Sequence, residues 1–63
     1  MPKHQKAMRL IDPALEELKR NPCNDEHMHV MGLLNMALVL DAITYYQYKK
    51  YSCIARDIIK EST

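Results

Sequence analysis

The sequence predicts an all-α protein, either a helical hairpin or a three-helix unit, that assembles into a helical-bundle homo-oligomer. Three observations carry this prediction. Apolar residues recur at the three- and four-residue spacing of a helix near both ends of the chain. The segment Met28 to Ile43 is apolar on nearly every side of a helix. Helix breakers are also scarce and comprise Pro2, Pro13, Pro22 and Gly32. We predict that the 63 residues form a single domain.

The first helix is predicted over Pro13 to Arg20. An Asp12 side chain can accept the free amide hydrogens of a first helical turn, and proline is tolerated at the position that follows the cap. Residues 3–11 are expected to form a separate turn of helix, kinked at Asp12, because the residue before a proline is pushed away from helical angles. Asn21 and Pro22 end the helix. An apolar stripe of Met8, Ile11, Leu15 and Leu18 runs from the turn over residues 3–11 into the helix.

The second helix is expected to begin near Asn24 or Asp25, either of which can cap it. No proline interrupts residues 25–61, so one long helix and two shorter helices both remain open. For two helices we place the break between Tyr46 and Ser52, where tyrosines and lysines lower helix propensity and Ser52 could cap a third helix. The apolar stripe of that last helix is Tyr51, Ile54, Ala55, Ile58 and Ile59.

The apolar segment Met28 to Ile43 indicates self-association. A chain of this length buries only about 60% of the surface that its unfolded form exposes, so further burial against a second copy is expected, a dimer first of all. We expect the side of the helix near Val30, Leu33, Ala37 and Leu40 to meet Leu15 and Leu18 of its own chain. The predicted oligomer interface comprises Met31, Leu34, Asn35, Leu38, Asp41 and Tyr45.

Two polar residues in this segment have alternative interpretations. Asn35 either fixes the register of the assembly, because a buried Asn requires a polar partner on the facing helix, or it faces water. Asp41 is expected to pair with Arg56, Lys49 or Tyr45 at the edge of the core; the alternative is a contact with a basic partner. Asp41 also argues against a membrane span, because an acidic residue within one is costly. We therefore predict no membrane partner.

Composition and motifs point away from enzymes and cofactors. The sequence has no glycine-rich phosphate loop, no nucleophile elbow and no paired carboxylates with a histidine on one helix face. Cys23 and His27 could share a metal ion, but a structural zinc site needs four ligands, so we predict a plain helix start and no metal. With no signal peptide, we expect Cys23 and Cys53 to be reduced thiols in a cytoplasmic protein.

For function, the sequence favours a small non-enzymatic regulatory or adaptor protein that binds another protein. Nine Lys and Arg against eight Asp and Glu leave a net charge of +1, so bulk electrostatic capture of nucleic acid is not indicated. The alternative is a helical dimer that binds nucleic acid through a local aromatic and basic patch, since tyrosines stack on bases and cationic groups hold phosphates. The patch comprises Tyr48, Lys49, Lys50 and Arg56.

Overall fold

The computed structural model describes residues 2–62, which form three α-helices and no strand. They are α1 (Lys3–Arg20), α2 (Asn24–Val39) and α3 (Tyr45–Ser62). The predicted all-α class is confirmed. Of the two predicted arrangements, the protein has the three-helix unit and not the helical hairpin. The middle helix α2 packs extensively against both of its neighbours, whereas α1 and α3 touch each other much less.

Helix α1 is one continuous helix that contains Pro13 in its interior. The predicted start at Asp12 and the separate turn over residues 3–11 are therefore wrong. Pro13 has no N–H to donate to the carbonyl of Arg9, and an interior proline costs about 3 kcal/mol. The helix tolerates this cost because Pro13 lies on its exposed side, while Ile11 and Leu18 on the opposite side are almost completely buried. Tertiary packing outweighs the local signal.

The first connection is short and is held by backbone bonds. The Asn21 N–H donates to the carbonyl of Glu17 at 2.9 Å and ends α1 where the sequence predicted. Cys23 occupies the N-cap position of α2 and makes no side-chain capping bond, so the predicted cap at Asn24 or Asp25 is wrong. Asp25 and Glu26 do lie in the first turn, where the helix dipole favours acidic groups.

Helix α2 ends in a Schellman motif centred on Asp41. The Ala42 N–H donates to the carbonyl of Ala37 at 2.8 Å, and the Asp41 N–H donates to that of Leu38 at 3.1 Å. Asp41 takes the left-handed conformation that this motif requires, with φ 58°. The buried Ala42 and Ala37 supply the apolar contact that accompanies such a cap.

Helix α3 starts with a capping box at Thr44 and Gln47. The Thr44 hydroxyl accepts the Gln47 N–H at 3.1 Å, and the Gln47 side-chain carbonyl accepts the Thr44 N–H at 2.9 Å. The predicted break between Tyr46 and Ser52 is therefore wrong, because the chain turns at residues 40–44. Ser52 lies inside α3, where its hydroxyl donates to the carbonyl of Lys49 at 3.0 Å.

The apolar core draws on all three helices and on the α2–α3 turn. Leu15 and Leu18 of α1 and Val30 and Ala37 of α2 pack in it as predicted. The inward side of α2 also includes Leu34, which has no exposed surface. Leu40, which we expected to face inward, is 56% exposed because α2 has already ended there. The buried residues are Ile11, Ala14, Leu15, Leu18, Val30, Leu34, Ala37, Ala42, Ile43 and Ala55.

The predicted stripe of the last helix lies on the core side of α3. Ala55 is fully buried, and Tyr51, Ile54, Ile58 and Ile59 pack around it partly buried. The turn before α3 is also tied to α1, because the Ala42 carbonyl accepts a hydrogen bond from the His4 ring at 3.2 Å. Within residues 2–62 there is no helix with both the length and the apolar character needed to cross a membrane.

Candidate interaction surfaces

An apolar surface runs along the side of α2 that faces away from the core. Met28, Gly32 and Met36 follow at intervals of four residues and Val39 comes three later, so all four lie on one side of the helix. Met28 is 70%, Met36 60% and Val39 80% exposed. We call these four residues the α2 outer face. Exposed apolar residues are ordinary when scattered, but a continuous group of them marks a site of association.

Gly32 lies in the middle of the α2 outer face. A Cβ atom added there would have no atom within 4 Å, so nothing inside the protomer requires a glycine. A glycine in a helix interior costs about 1 kcal/mol relative to alanine. The gap that it leaves opens towards solvent, where a second helix could approach closely.

A small apolar cleft borders the α2 outer face on the α1 side. It has a volume of about 70 Å³. Leu10 of α1 stands at its rim and is 61% exposed, and Leu40 lies one turn beyond Met36. The apolar surface is therefore wider than α2 alone. The cleft is lined by Ala7, Leu10, Ile11, Leu33, Met36 and Ala37.

The predicted oligomer-interface residues do not share one surface. Leu34 is buried in the protomer's own core, contrary to its assignment to the outward side of α2. Met31 and Leu38 are partly buried and pack against that core. Asn35, Asp41 and Tyr45 are exposed. No ion pair joins Asp41 to a basic side chain within the described part of the chain, so the expected pairing at the core edge is absent there.

Sequence reasoning missed the residues that the structure leaves uncovered, Met28, Met36 and Val39, with Leu10 and Leu40 beside them. An all-round apolar helix gives no periodic signal for which side is outward. Gly32 was the one local indication of the outward side, because a glycine destabilises a helix and no contact within the protomer requires one here.

A second surface, on α3, combines tyrosines and lysines. The rings of Tyr45 and Tyr48 are stacked, with centroids 6.3 Å apart and planes 16° from parallel. The Lys49 ammonium lies 5.5 Å from the centre of the Tyr45 ring, within the range of a cation–π contact. We call Tyr45, Tyr46, Lys49 and Lys50 the α3 tyrosine–lysine surface; all four are exposed, whereas the predicted contact residue Tyr48 is half-buried.

Arg56, the fourth residue of the predicted patch, lies two turns beyond Lys49 on α3. Its Nη2 donates to the Cys53 Sγ at 3.8 Å. The two residues line a groove of about 200 Å³ between α2 and α3, together with His27 and Met31 of α2. Arg56 therefore lies beyond the α3 tyrosine–lysine surface, towards the C-terminal end of α3.

The cysteines are both free thiols, Cys23 half-buried and Cys53 exposed. Among residues 2–62, no three or more His, Cys, Asp or Glu side chains are grouped so that they could hold a metal ion.

Comparison of the chain with protein-family models, with curated proteins and with solved structures found no match. Function is therefore inferred from the two surfaces alone.

Proposed function

We propose that this protein is a small non-enzymatic regulatory or adaptor protein that works by protein–protein association on a homodimeric helical base. The observation that carries the proposal is the α2 outer face, where Met28, Met36 and Val39 stand largely exposed around a glycine. The α3 tyrosine–lysine surface is exposed in the protomer and lies on a different helix from the α2 outer face, and we propose it as the contact for the other protein. A cytoplasmic location is part of this proposal, and the two free cysteines support it, because disulfides are rare in that compartment.

The exposed apolar side chains can offset the cost of dimerisation. Complete burial of one Val, Leu or Met side chain is worth about 1.5–3 kcal/mol. From their exposed fractions, Met28, Met36 and Val39 together offer about 3–6 kcal/mol per protomer, and a symmetric dimer doubles this. Association costs about 4–15 kcal/mol. The two terms are comparable, and burial of Leu10 and Leu40 at the edge of the interface would shift the balance towards the dimer.

The solution mass of the purified protein tests the proposal. Sedimentation velocity is run without detergent over protein concentrations from about 0.1 to 100 μM, a range that brackets a micromolar dissociation constant. We expect a shift from one to two protomers, and we expect added salt to leave the midpoint nearly unchanged, because the buried surface is apolar. A protomer mass at every concentration would overturn the homodimeric base.

A second candidate function is binding of single-stranded nucleic acid through α3. The stacked pair of Tyr45 and Tyr48 with the Lys49 ammonium over a ring favours it, because such proteins combine aromatic platforms with cationic groups along the backbone. A fluorescent oligonucleotide titrated with the protein should then lose affinity steeply as salt is added. The variant Lys49→Glu/Lys50→Glu should abolish binding, whereas the matched variant Lys3→Glu/Lys6→Glu on α1 should keep most of the parent's affinity, because these lysines lie outside the α3 tyrosine–lysine surface. No binding at low salt removes this candidate.

A further inference from the structure

From the arrangement of α2 we infer that two copies of this chain pair through their α2 outer faces as antiparallel helices, with the two-fold axis beside Gly32. The inference rests on the self-association in the proposed function and specifies its geometry. It commits to one occupant for the apolar surface, a second copy of the same chain.

The spacing of residues about Gly32 fits a two-fold axis. Gly32 stands at the middle of α2, which runs from Asn24 to Val39, and Met28 and Met36 stand one turn before and one turn after it. In an antiparallel pair crossed at the glycines, Met28 of each copy lies beside Met36 of the other. The same surface then serves both protomers, as a two-fold interface requires. The long, flexible methionine side chains can adjust to one another across it.

Gly32 supplies the space for this contact. Packed helices usually lie with their axes 8–10 Å apart, at a distance set by the side chains where they cross. The surroundings of Gly32 are open to 4 Å and beyond, so the backbone of the second helix can come to the near end of that range or closer. Neither α1 nor α3 uses this gap, which leaves a helix from outside the protomer as the feature that explains a glycine here.

The charges of α2 favour the antiparallel direction. Asp25 and Glu26 lie in the first turn, and the last turn carries no basic residue. In a parallel pair the four acidic groups would meet at one end of the dimer, and the helix dipoles would be aligned. In an antiparallel pair they lie at opposite ends of a helix about 24 Å long, a separation greater than the Debye length of about 8 Å at physiological ionic strength.

Charge exchange between Met28 and Met36 tests both the surface and the direction. In Met28→Glu/Met36→Glu, like charges meet in either direction of pairing, and we expect the dimer dissociation constant to rise at least about 10-fold. In Met28→Glu/Met36→Lys, each Glu meets a Lys of the other copy only if the helices are antiparallel. We therefore expect this variant to recover most of the loss. The matched control Gln5→Glu/Ser62→Glu adds two acidic groups at exposed positions on α1 and α3, outside both candidate surfaces, and should dimerise like the parent.

The outcomes separate this inference from the proposed function. Both methionines are exposed, so circular dichroism should show an unchanged helical protomer in every variant. If the parent and the Met28→Glu/Met36→Glu variant dimerise equally well, the α2 outer face is not the dimer interface. That result would overturn this inference and leave the proposed function standing. Equal loss in the Glu/Glu and Glu/Lys variants would overturn the antiparallel direction. Loss in the control as well would show that overall charge governs assembly and would overturn the inference, and a parent that is always a monomer would overturn both proposals.

Discussion

Replacement of Asp41 by glycine should stabilise the protein. Asp41 is the left-handed residue of the Schellman motif, with φ 58°. The left-handed conformation costs an ordinary L-residue about 1–2 kcal/mol, which glycine does not pay. The change also removes a negative charge from the C-terminal end of α2, where the helix dipole disfavours it. Glycine loses more backbone entropy on folding, which offsets part of the gain, so the expected net increase in the free energy of unfolding is about 1 kcal/mol.

This gain should be visible as a large shift in melting temperature because the chain is short. At about 2.1 cal/mol/K per residue, 63 residues give an unfolding entropy of about 0.13 kcal/mol/K. A gain of about 1 kcal/mol then raises Tm by about 8 °C. Thermal unfolding followed by circular dichroism measures it, with protein concentration held fixed because association itself raises Tm.

Asp57→Gly is the matched control, since it removes the same charge from the middle of α3, where the backbone is helical. Glycine is the poorer helix former there, so this variant should melt a few degrees lower than the parent. Opposite shifts for the two substitutions would be the signature of the left-handed cap. A decrease for Asp41→Gly comparable to that of Asp57→Gly would refute the assigned backbone geometry at Asp41.

Substitutions at four further positions test the packing and the helix ends by chemical denaturation. Pro13→Ala should raise the free energy of unfolding by about 1–3 kcal/mol, because the proline is exposed inside a helix; a decrease would contradict the continuous α1. Thr44→Ala should cost about 1 kcal/mol through loss of the capping box, whereas Thr44→Ser should cost little; equal losses would show that the hydroxyl does not cap α3. Leu34→Ala should cost about 2–5 kcal/mol and Leu40→Ala under about 0.5 kcal/mol, and the reverse order would contradict the orientation of α2.

The helix ends show what local sequence signals can predict. Asn21 and Pro22 predicted the end of α1 because both act within one turn of chain. The capping box of Thr44 and Gln47 is equally local, and its three-residue spacing could have located the start of α3. The end of α2 was harder to predict, because Asp41 fills a position that is usually glycine.

The candidate surfaces depended on information beyond local sequence. The aromatic and basic character of the α3 surface could be read directly from consecutive residues, and the structure changed only which of them are exposed. The α2 outer face could not be chosen in advance, because a helix that is apolar on all sides offers several equivalent inward directions. The structure exchanged the expected roles of Leu34 and Leu40, burying the first and exposing the second.

By itself the sequence determined that this protein is helical and which sides of α1 and α3 face the core. In α1 the apolar stripe contains Ile11 and Leu18, and in α3 it contains Ala55 and its neighbours. Each stripe leaves a polar side of its helix for solvent. Only the tertiary structure decided that α1 continues through Pro13 and that Met28, Met36 and Val39 remain uncovered. Both outcomes have the same physical reason. The burial of apolar area is summed over the whole chain, so it can outweigh a local cost at one proline, and it alone selects which side of an all-apolar helix is turned inward.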